Sequence, residues 1–436
     1  MLRKDGGRKR HEEEKLRMDI LVIGGGGREH AVIKKLKESP RAGAIYCAPG
    51  NGGIAADARC VPIKATDVDG VVRFAKDNRI GFVVVTPDDP LALGMVDALE
   101  AAGIKAFGPN QAAAAIESSK VFSKNLMKKY GIPTAAYDVF ESPIEALAHI
   151  VKEGRYPAVI KADGLALGKG VVIAQNEDEA RAALHAIMED KIFGASGNRV
   201  VVEEFLTGPE VSVLAFTDGK TIRPMVSSKD HKRALDGDKG PNTGGMGTIS
   251  PNPHYTDTIA DQCMETIFLP TVHAMNAEGR PFKGCLYFGL MLTPDGPKVI
   301  EYNARFGDPE TQVVLLRLQS DLLDILEAVA DERLAGMDIE WDSRAAACVV
   351  AASGGYPGKY ASGKAITGIA AAETHPDVTV FHAGTRLEDG TLVTAGGRVL
   401  GVTALGATLE QALGIAYAAL REIHFDGMQF RTDIGR

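Results

Sequence analysis

The sequence is poor in cysteine, has no long apolar run and carries no excess of basic residues. Its five cysteines (Cys47, Cys60, Cys263, Cys285, Cys348) are scattered and never spaced as CxxC. That excludes a disulfide framework and fits reduced, mostly buried thiols in a cytoplasmic protein. No apolar stretch approaches the ~18 residues of a membrane span, so no membrane association is expected. The net charge of −8 argues against a broad nucleic-acid surface, which needs clustered Lys and Arg. Neither HExxH nor GxSxG occurs, so zinc-protease and serine-hydrolase chemistry lack their usual residues.

What is present describes a globular α/β protein. At 436 residues the length favours about three domains. The first seventeen residues hold seven Lys/Arg against four Asp/Glu and no apolar core; they read as a disordered extension, with Met18 opening the fold. From 18 to about 118, short apolar runs ("DILVIG", "AIYCAP", "GFVVVTP", "KAFGP") alternate with helical ones. This alternation predicts a parallel sheet with helices on both faces and ligands at the carboxyl strand ends. From 119 to 328 the pattern becomes α+β, with a hairpin expected around Pro294, Asp295 and Gly296 and single helices over "LALGMVDALEAAG" and "TQVVLLRLQSDLLDILEAVA". The remainder is strand-rich.

The most informative stretch is "VIEYNARFGDPETQ". Alternate strand residues share a face, so Glu301, Asn303 and Arg305 project together: two hard oxygen donors and one cation. That set suits a magnesium polyphosphate better than zinc. "GGGGREHA" places a glycine-rich turn before a helix, a ready anion site; its spacing does not fit GxGxxG, which leaves a substrate contact or a structural turn. "IKADGLALGKGV" sets Lys161 and Lys169 at the ends of a mobile loop containing Gly164 and Gly168, and is not a Walker A loop. "VVVEEFLTGPE" is a strand breaking into a short connector, where Glu203, Glu204 and Glu210 read first as surface carboxylates and otherwise as a hinge offering its backbone to an adenine edge and Glu210 to ribose hydroxyls. "SSKDHKR" collects Asp230, His231, Lys232 and Arg233 ahead of a polar glycine-rich loop. His231 reads there as a polar lining residue in preference to a general base.

Taken in order, "GGGGREHA", "APGNGG", "KADGLALGKGV", "VEEFLTGPEVS", "HKR…GPNTGGMG", "EYNARFGDPETQ" and "SGGYPG" give a chain that resembles the phosphoribosylamine–glycine ligase (glycinamide ribonucleotide synthetase) family of ATP-grasp enzymes in purine biosynthesis. The resemblance implies an ATP-grasp fold: an N-terminal parallel-sheet domain (18–118), a central ATP-grasp domain (119–328) with a lid at about 134–200, and a small β-rich C-terminal domain (329–436). It implies ATP as co-substrate, Mg2+ or Mn2+ on Glu301 and Asn303, and Lys120, Lys161, Gly168 and Lys169 around the phosphates. Glu203 and Leu206 would meet adenine through their backbones, and Glu210 the ribose. Arg305 and Asp230 would hold glycine's carboxylate and amine, with Lys232 beside them. Phosphoribosylamine would lie among Gly25, Gly26, Arg28, Glu29, Asp88, Asp89, Asp308, Gly354, Gly355 and Lys359. One departure is "TPDDP": Asp88 or Asp89 stands where the family carries a glutamate, one methylene longer. A cytoplasmic monomer or weak homodimer is expected.

Overall fold

A computed structural model describes residues 17–165 and 170–436. Its first unit is a parallel sheet of β1 (Met18–Gly24), β2 (Ala42–Pro49), β3 (Arg59–Cys60), β4 (Phe82–Val85) and β5 (Ala106–Phe107), in the order β3-β2-β1-β4-β5. The chain leaves β1 toward β2 on one side and returns to β4 on the other. The carboxyl end of β1 is therefore a topological switch point, where such sheets bind ligands. Period-2 alternation sends β1 into two cores: Leu21 and Ile23 pack with Val83 and Val85, whereas Ile20 and Val22 pack with Val313, Leu323 and Leu326. The second contact binds this sheet to helices more than 290 residues further along.

The middle of the chain holds two antiparallel sheets. One comprises Tyr137–Phe140, Val200–Glu204, Ala158–Ala162 and Val171–Ala174 and has its own apolar core with Ile150, Leu184 and Ile187. The other comprises Ile222–Pro224, Glu210–Asp218, Lys283–Thr293 and Gly296–Asn303. The expected hairpin is there, with Thr293 paired to Gly296, whose φ is +108°. Two helices expected to be continuous are broken. Gly94, in the left-handed region at φ +80°, separates Asp88–Ala92 from Met95–Ala101. Asp321 caps a new helix, Leu322–Ala330, by accepting from the Leu323 and Asp324 amides, and so parts it from Glu310–Leu316. Apolar periodicity runs through both breaks, but local capping wins over it.

The C-terminal sheet draws on the middle of the chain. Its order is Lys229–Asp230, Gly247–Ser250, Ala345–Ser353, Arg398–Gly406, Val378–His382, with Met428–Gln429 on Ala345–Ser353. Strands from both sides of residue 329 thus share one ladder, which fixes Asp230 relative to Arg398. His30 ties the N-terminal unit to this sheet: its Nδ1 accepts from the His382 amide at 2.8 Å, so its Nε2–H donates to Asp57 at 2.9 Å. No described helix is long and apolar enough to cross a membrane.

Candidate active site

The charged stretch after Val299 is shaped by a β-bulge. Pairing of Lys283–Thr293 with Gly296–Asn303 slips between Gly289 and Leu290, so that Glu301 faces Gly289 and Ile300 is the extra residue. A bulge turns a backbone group out of the ladder, and the Ile300 carbonyl accepts from Lys161 Nζ at 3.0 Å. Glu301, Asn303 and Arg305 then line one cleft of about 670 Å³ together with Lys120, Lys161 and Lys232. Burial alone would raise the Glu301 carboxyl, but Lys232, Lys161, Lys120 and Arg305 hold it below its usual range, so it is ionised. Lys232 Nζ lies 3.5 Å from Glu210 Oε2 and 3.8 Å from Glu301 Oε1. Glu210 is the main reason its charge is held.

Opposite this strand stand the lysines. Ser119 caps the helix Lys120–Tyr130, and its hydroxyl and the Val121 amide both meet Asp163 Oδ1. Lys120 Nζ donates to the Gly164 carbonyl at 2.9 Å, at the start of the glycine-rich loop. Gly168 and Lys169 lie outside the described residues. Lys161 and Lys124 both reach Glu203 Oε2 at 3.0 Å, while Glu203 Oε1 is buried without a partner.

The hinge differs from expectation. Glu203 sits inside the ladder between Tyr137 and Val159, so what it presents is its carboxylate and not a free backbone edge. Glu204 is the last residue of that strand, opposite Ala158. The Ala136 amide turns to its side-chain Oε1 at 3.0 Å, while the Glu204 amide still donates to the Ala136 carbonyl. Leu206 follows in the irregular connector lining the cleft.

Arg305 is held from the helix Gln111–Ser118. Its Nη2 is 3.2 Å from Glu117 Oε1, whose second oxygen accepts from the Ala304 amide at 2.7 Å. Nη2 also donates to Asn303 Oδ1 at 3.1 Å, and Nε is buried without a partner. Burial pushes the Glu117 carboxyl up against the pull of Arg305. Asp88 lines the same cleft, whereas Asp89 is exposed and does not. Beyond Arg305, burial and then Glu310 push the Asp230 carboxyl well up, opposed by Lys232 and Arg398. Glu310 is itself buried and accepts from the Tyr287 hydroxyl at 3.1 Å. Arg398 Nη1 donates to the carbonyls of Gly244 at 2.6 Å and Asp308 at 2.7 Å, and its Nη2 pairs with Asp308 Oδ2 at 3.2 Å.

The glycine-rich turn is close-packed. A Cβ on Gly25 would meet the Gly50 carbonyl oxygen at 2.5 Å, and one on Gly26 would lie 3.4 Å from Asp308 Oδ2. Arg28 donates to the Phe306 carbonyl. Glu29 is not a free substrate ligand: it is buried and accepts from the Gly26 amide, Arg28 and Thr86. Gly354, Gly355 and Lys359 are exposed and outside the cleft; from the same loop, the Tyr356 hydroxyl accepts from the Gly244 amide. His231 is a strut. Its Nδ1–H donates to the Gly247 carbonyl at 3.2 Å and its Nε2 accepts from the Gly435 amide at 2.9 Å, and burial pulls it down to about 4. Lys124, Glu117, Glu310, Tyr287 and Arg398 were missed by the sequence reading. Lys124 was accessible to it, being one turn from Lys120 on the same helix face.

Known proteins share this sequence and fold along nearly the whole chain. The chain matches the family models for the N domain (residues 18–117), the ATP-grasp (A) domain (118–311) and the C domain (346–436) of phosphoribosylglycinamide synthetase. It is 50% identical over 418 residues to a phosphoribosylamine–glycine ligase of Halalkalibacterium halodurans, covering 96% of each chain. To that of Caldanaerobacter subterraneus subsp. tengcongensis it is 48% identical over 417 residues, covering 96% of this chain and 99% of the other. A crystal structure of phosphoribosylamine–glycine ligase from Thermotoga maritima superposes with a TM-score of 0.83 at 33% identity, covering 95% of this chain and 99% of that one. A Campylobacter jejuni biotin carboxylase, 15% identical with a TM-score of 0.73 and covering 96% and 94%, shares the fold alone. From its glycine-rich first turn to its last strand, the chain belongs to the phosphoribosylglycinamide synthetase family.

Proposed function

We propose that the chain ligates glycine to 5-phosphoribosylamine with ATP, giving glycinamide ribonucleotide, ADP and phosphate through glycyl phosphate. The observation that carries the site assignment is the convergence of Lys120, Lys161, Lys232 and Arg305 on Glu301 and Asn303 in one cleft. Two anions must meet for the first step, and such a cluster offsets their repulsion: one charge contact of about 4 Å near a protein surface is worth ~4 kcal/mol. Lys120 and Lys161 hold the ATP phosphates. The Glu204 carbonyl and the unpartnered Glu203 Oε1 accept from adenine's exocyclic amine, the Leu206 amide donates to the ring, and Glu210 takes the ribose hydroxyls.

Glu301, ionised and hard, and the Asn303 amide oxygen fit a divalent ion of the magnesium or manganese type, with Arg305 yielding the Asn303 oxygen. Bound there, the ion would neutralise charge on the phosphate oxygens. Arg305 orients glycine's carboxylate toward the terminal phosphorus. Asp230, with the buried Glu310 behind it, receives glycine's ammonium, which adds positive charge beside a carboxyl that burial and Glu310 push up. The amine of phosphoribosylamine, held between Arg28, Asp88 and Asp308, then attacks the glycyl carbonyl and phosphate leaves. Both steps need positioning and exclusion of water more than a protein nucleophile. This accords with His231 having both ring nitrogens occupied.

A coupled ADP assay tests the reading. ADP should form only with glycine and phosphoribosylamine together. ADP released with bicarbonate or formate in place of glycine would overturn it.

A further inference from the structure

Lys124 has no part in the steps above, yet it is 2% exposed. Its Nζ lies 3.0 Å from Glu203 Oε2, the oxygen that Lys161 Nζ also meets at 3.0 Å. The same Nζ donates to Thr134 Oγ1 at 2.8 Å, and that hydroxyl donates on to the Val299 carbonyl at 2.7 Å. Lys161 donates to the next carbonyl, Ile300, at 3.0 Å. Two ammonium groups thus reach consecutive carbonyls of the strand that carries Glu301, Lys161 directly and Lys124 through Thr134, and share one carboxylate oxygen. The other oxygen is buried and unpartnered. One carboxylate neutralises only one of two cations, so a positive charge is left over. Without Lys124, Glu203 would close on Lys161 alone, cancelling that charge and spending the free oxygen.

We infer that Lys124 is a positioning residue for the nucleotide, sharing Glu203 so that the Lys161 ammonium is not cancelled by it and Glu203 Oε1 stays turned to the adenine. This rests on the cleft being the ATP site. The charged and titratable groups facing Lys124 are Glu203, Lys161, Glu204 and Tyr137, whose ring centroid is 5.7 Å away; Lys128 lies at 5.7 Å from the same ring. Burial pulls the Lys124 ammonium down to about 8 against the attraction of Glu203. Nucleotide affinity should therefore fall as pH rises through about 8.

The test is calorimetric titration of the full chain with MgATP between pH 7 and 9.5, using wild type, Lys124→Met, Lys124→Arg and Lys161→Ala. Removing a charge-assisted hydrogen bond of this kind corresponds to a roughly tenfold loss. Lys124→Met should bind about that much more weakly at pH 7 and show no alkaline decline. Lys124→Arg should bind like wild type at pH 7 and keep its affinity where wild type loses it. Folded Lys124→Met with wild-type affinity, or Lys124→Arg with the wild-type pH profile, would overturn the inference. If Lys124→Met does not fold, the arginine variant decides. Unchanged affinity in Lys161→Ala would instead sink the reading of the cleft itself.

Discussion

Glu117→Gln is the most demanding test of how the acyl-substrate end is built. Glu117 reaches Arg305 from a helix nearly 190 residues away in sequence, at 3.2 Å, and its second oxygen accepts from the Ala304 amide at 2.7 Å. At that separation and an effective dielectric of about 20, the gross attraction is about 5 kcal/mol. Removing one partner of a buried pair costs ~3–5 kcal/mol, and glutamine keeps an oxygen for Ala304, which offsets about 1 kcal/mol. The net loss is about 2–4 kcal/mol, falling where Arg305 is held. Steady-state ADP formation under varied glycine should show kcat/KM for glycine reduced by roughly thirty- to a thousandfold. The KM for ATP should change far less, because Lys161 is held by Glu203 and the Ile300 carbonyl and Lys120 feels Glu117 only through space, behind Glu301. A folded variant with unchanged glycine kinetics would refute the assignment of Arg305 to glycine's carboxylate.

Other consequences follow from the same geometry. His231 and His382 are buried neutral, with burial holding them down to about 4 and about 3. The unfolded chain takes up these protons near pH 6.5, so the stability they contribute is complete above that pH and is lost as pH falls toward those values, by roughly 2 kcal/mol each at pH 5. Urea midpoints measured from pH 7.5 to 5 should fall accordingly, and a flat profile would contradict it. His231→Gln should lower stability but leave kcat within a few-fold, whereas a loss of about 10²-fold or more would make it a general base. Arg398→Met removes the clamp on Gly244 and Asp308. It should raise the KM for phosphoribosylamine about tenfold, with ATP affinity measured by calorimetry unchanged. Equal loss for both substrates would mean that the clamp is only structural.

The alternation of strand and helix in the first hundred residues, and the hairpin that presents Glu301, Asn303 and Arg305, were legible because period-2 and turn chemistry are local. The breaks at Gly94 and Asp321 were not, because apolar spacing continues across them while a positive φ and a cap end the helix. Nor could the sequence show that Lys229–Asp230, a two-residue polar strand, joins a sheet completed by residues near 400. Arg398 was invisible for that reason: only the register of this sheet brings it to Asp308. Glu29 was read as a substrate ligand, but its side chain is spent inside the scaffold; Glu203 was read through its backbone, which the ladder occupies, while one carboxylate oxygen is left without a partner. Strong motifs located the cleft, while of the residues that hold the motifs in place only Lys124 carried a sequence signal, its one-turn spacing from Lys120.

The central claim is that a divalent ion and the nucleotide phosphates meet at Glu301 and Asn303, between Lys120 and Lys161. Diffraction from crystals soaked with manganese and a non-hydrolysable ATP analogue, collected at the manganese edge, tests it most directly. The account predicts an anomalous peak within coordination distance of the Glu301 carboxylate and the Asn303 oxygen, with the triphosphate beside both lysines. A triphosphate bound elsewhere, with no peak at those two residues, would contradict it.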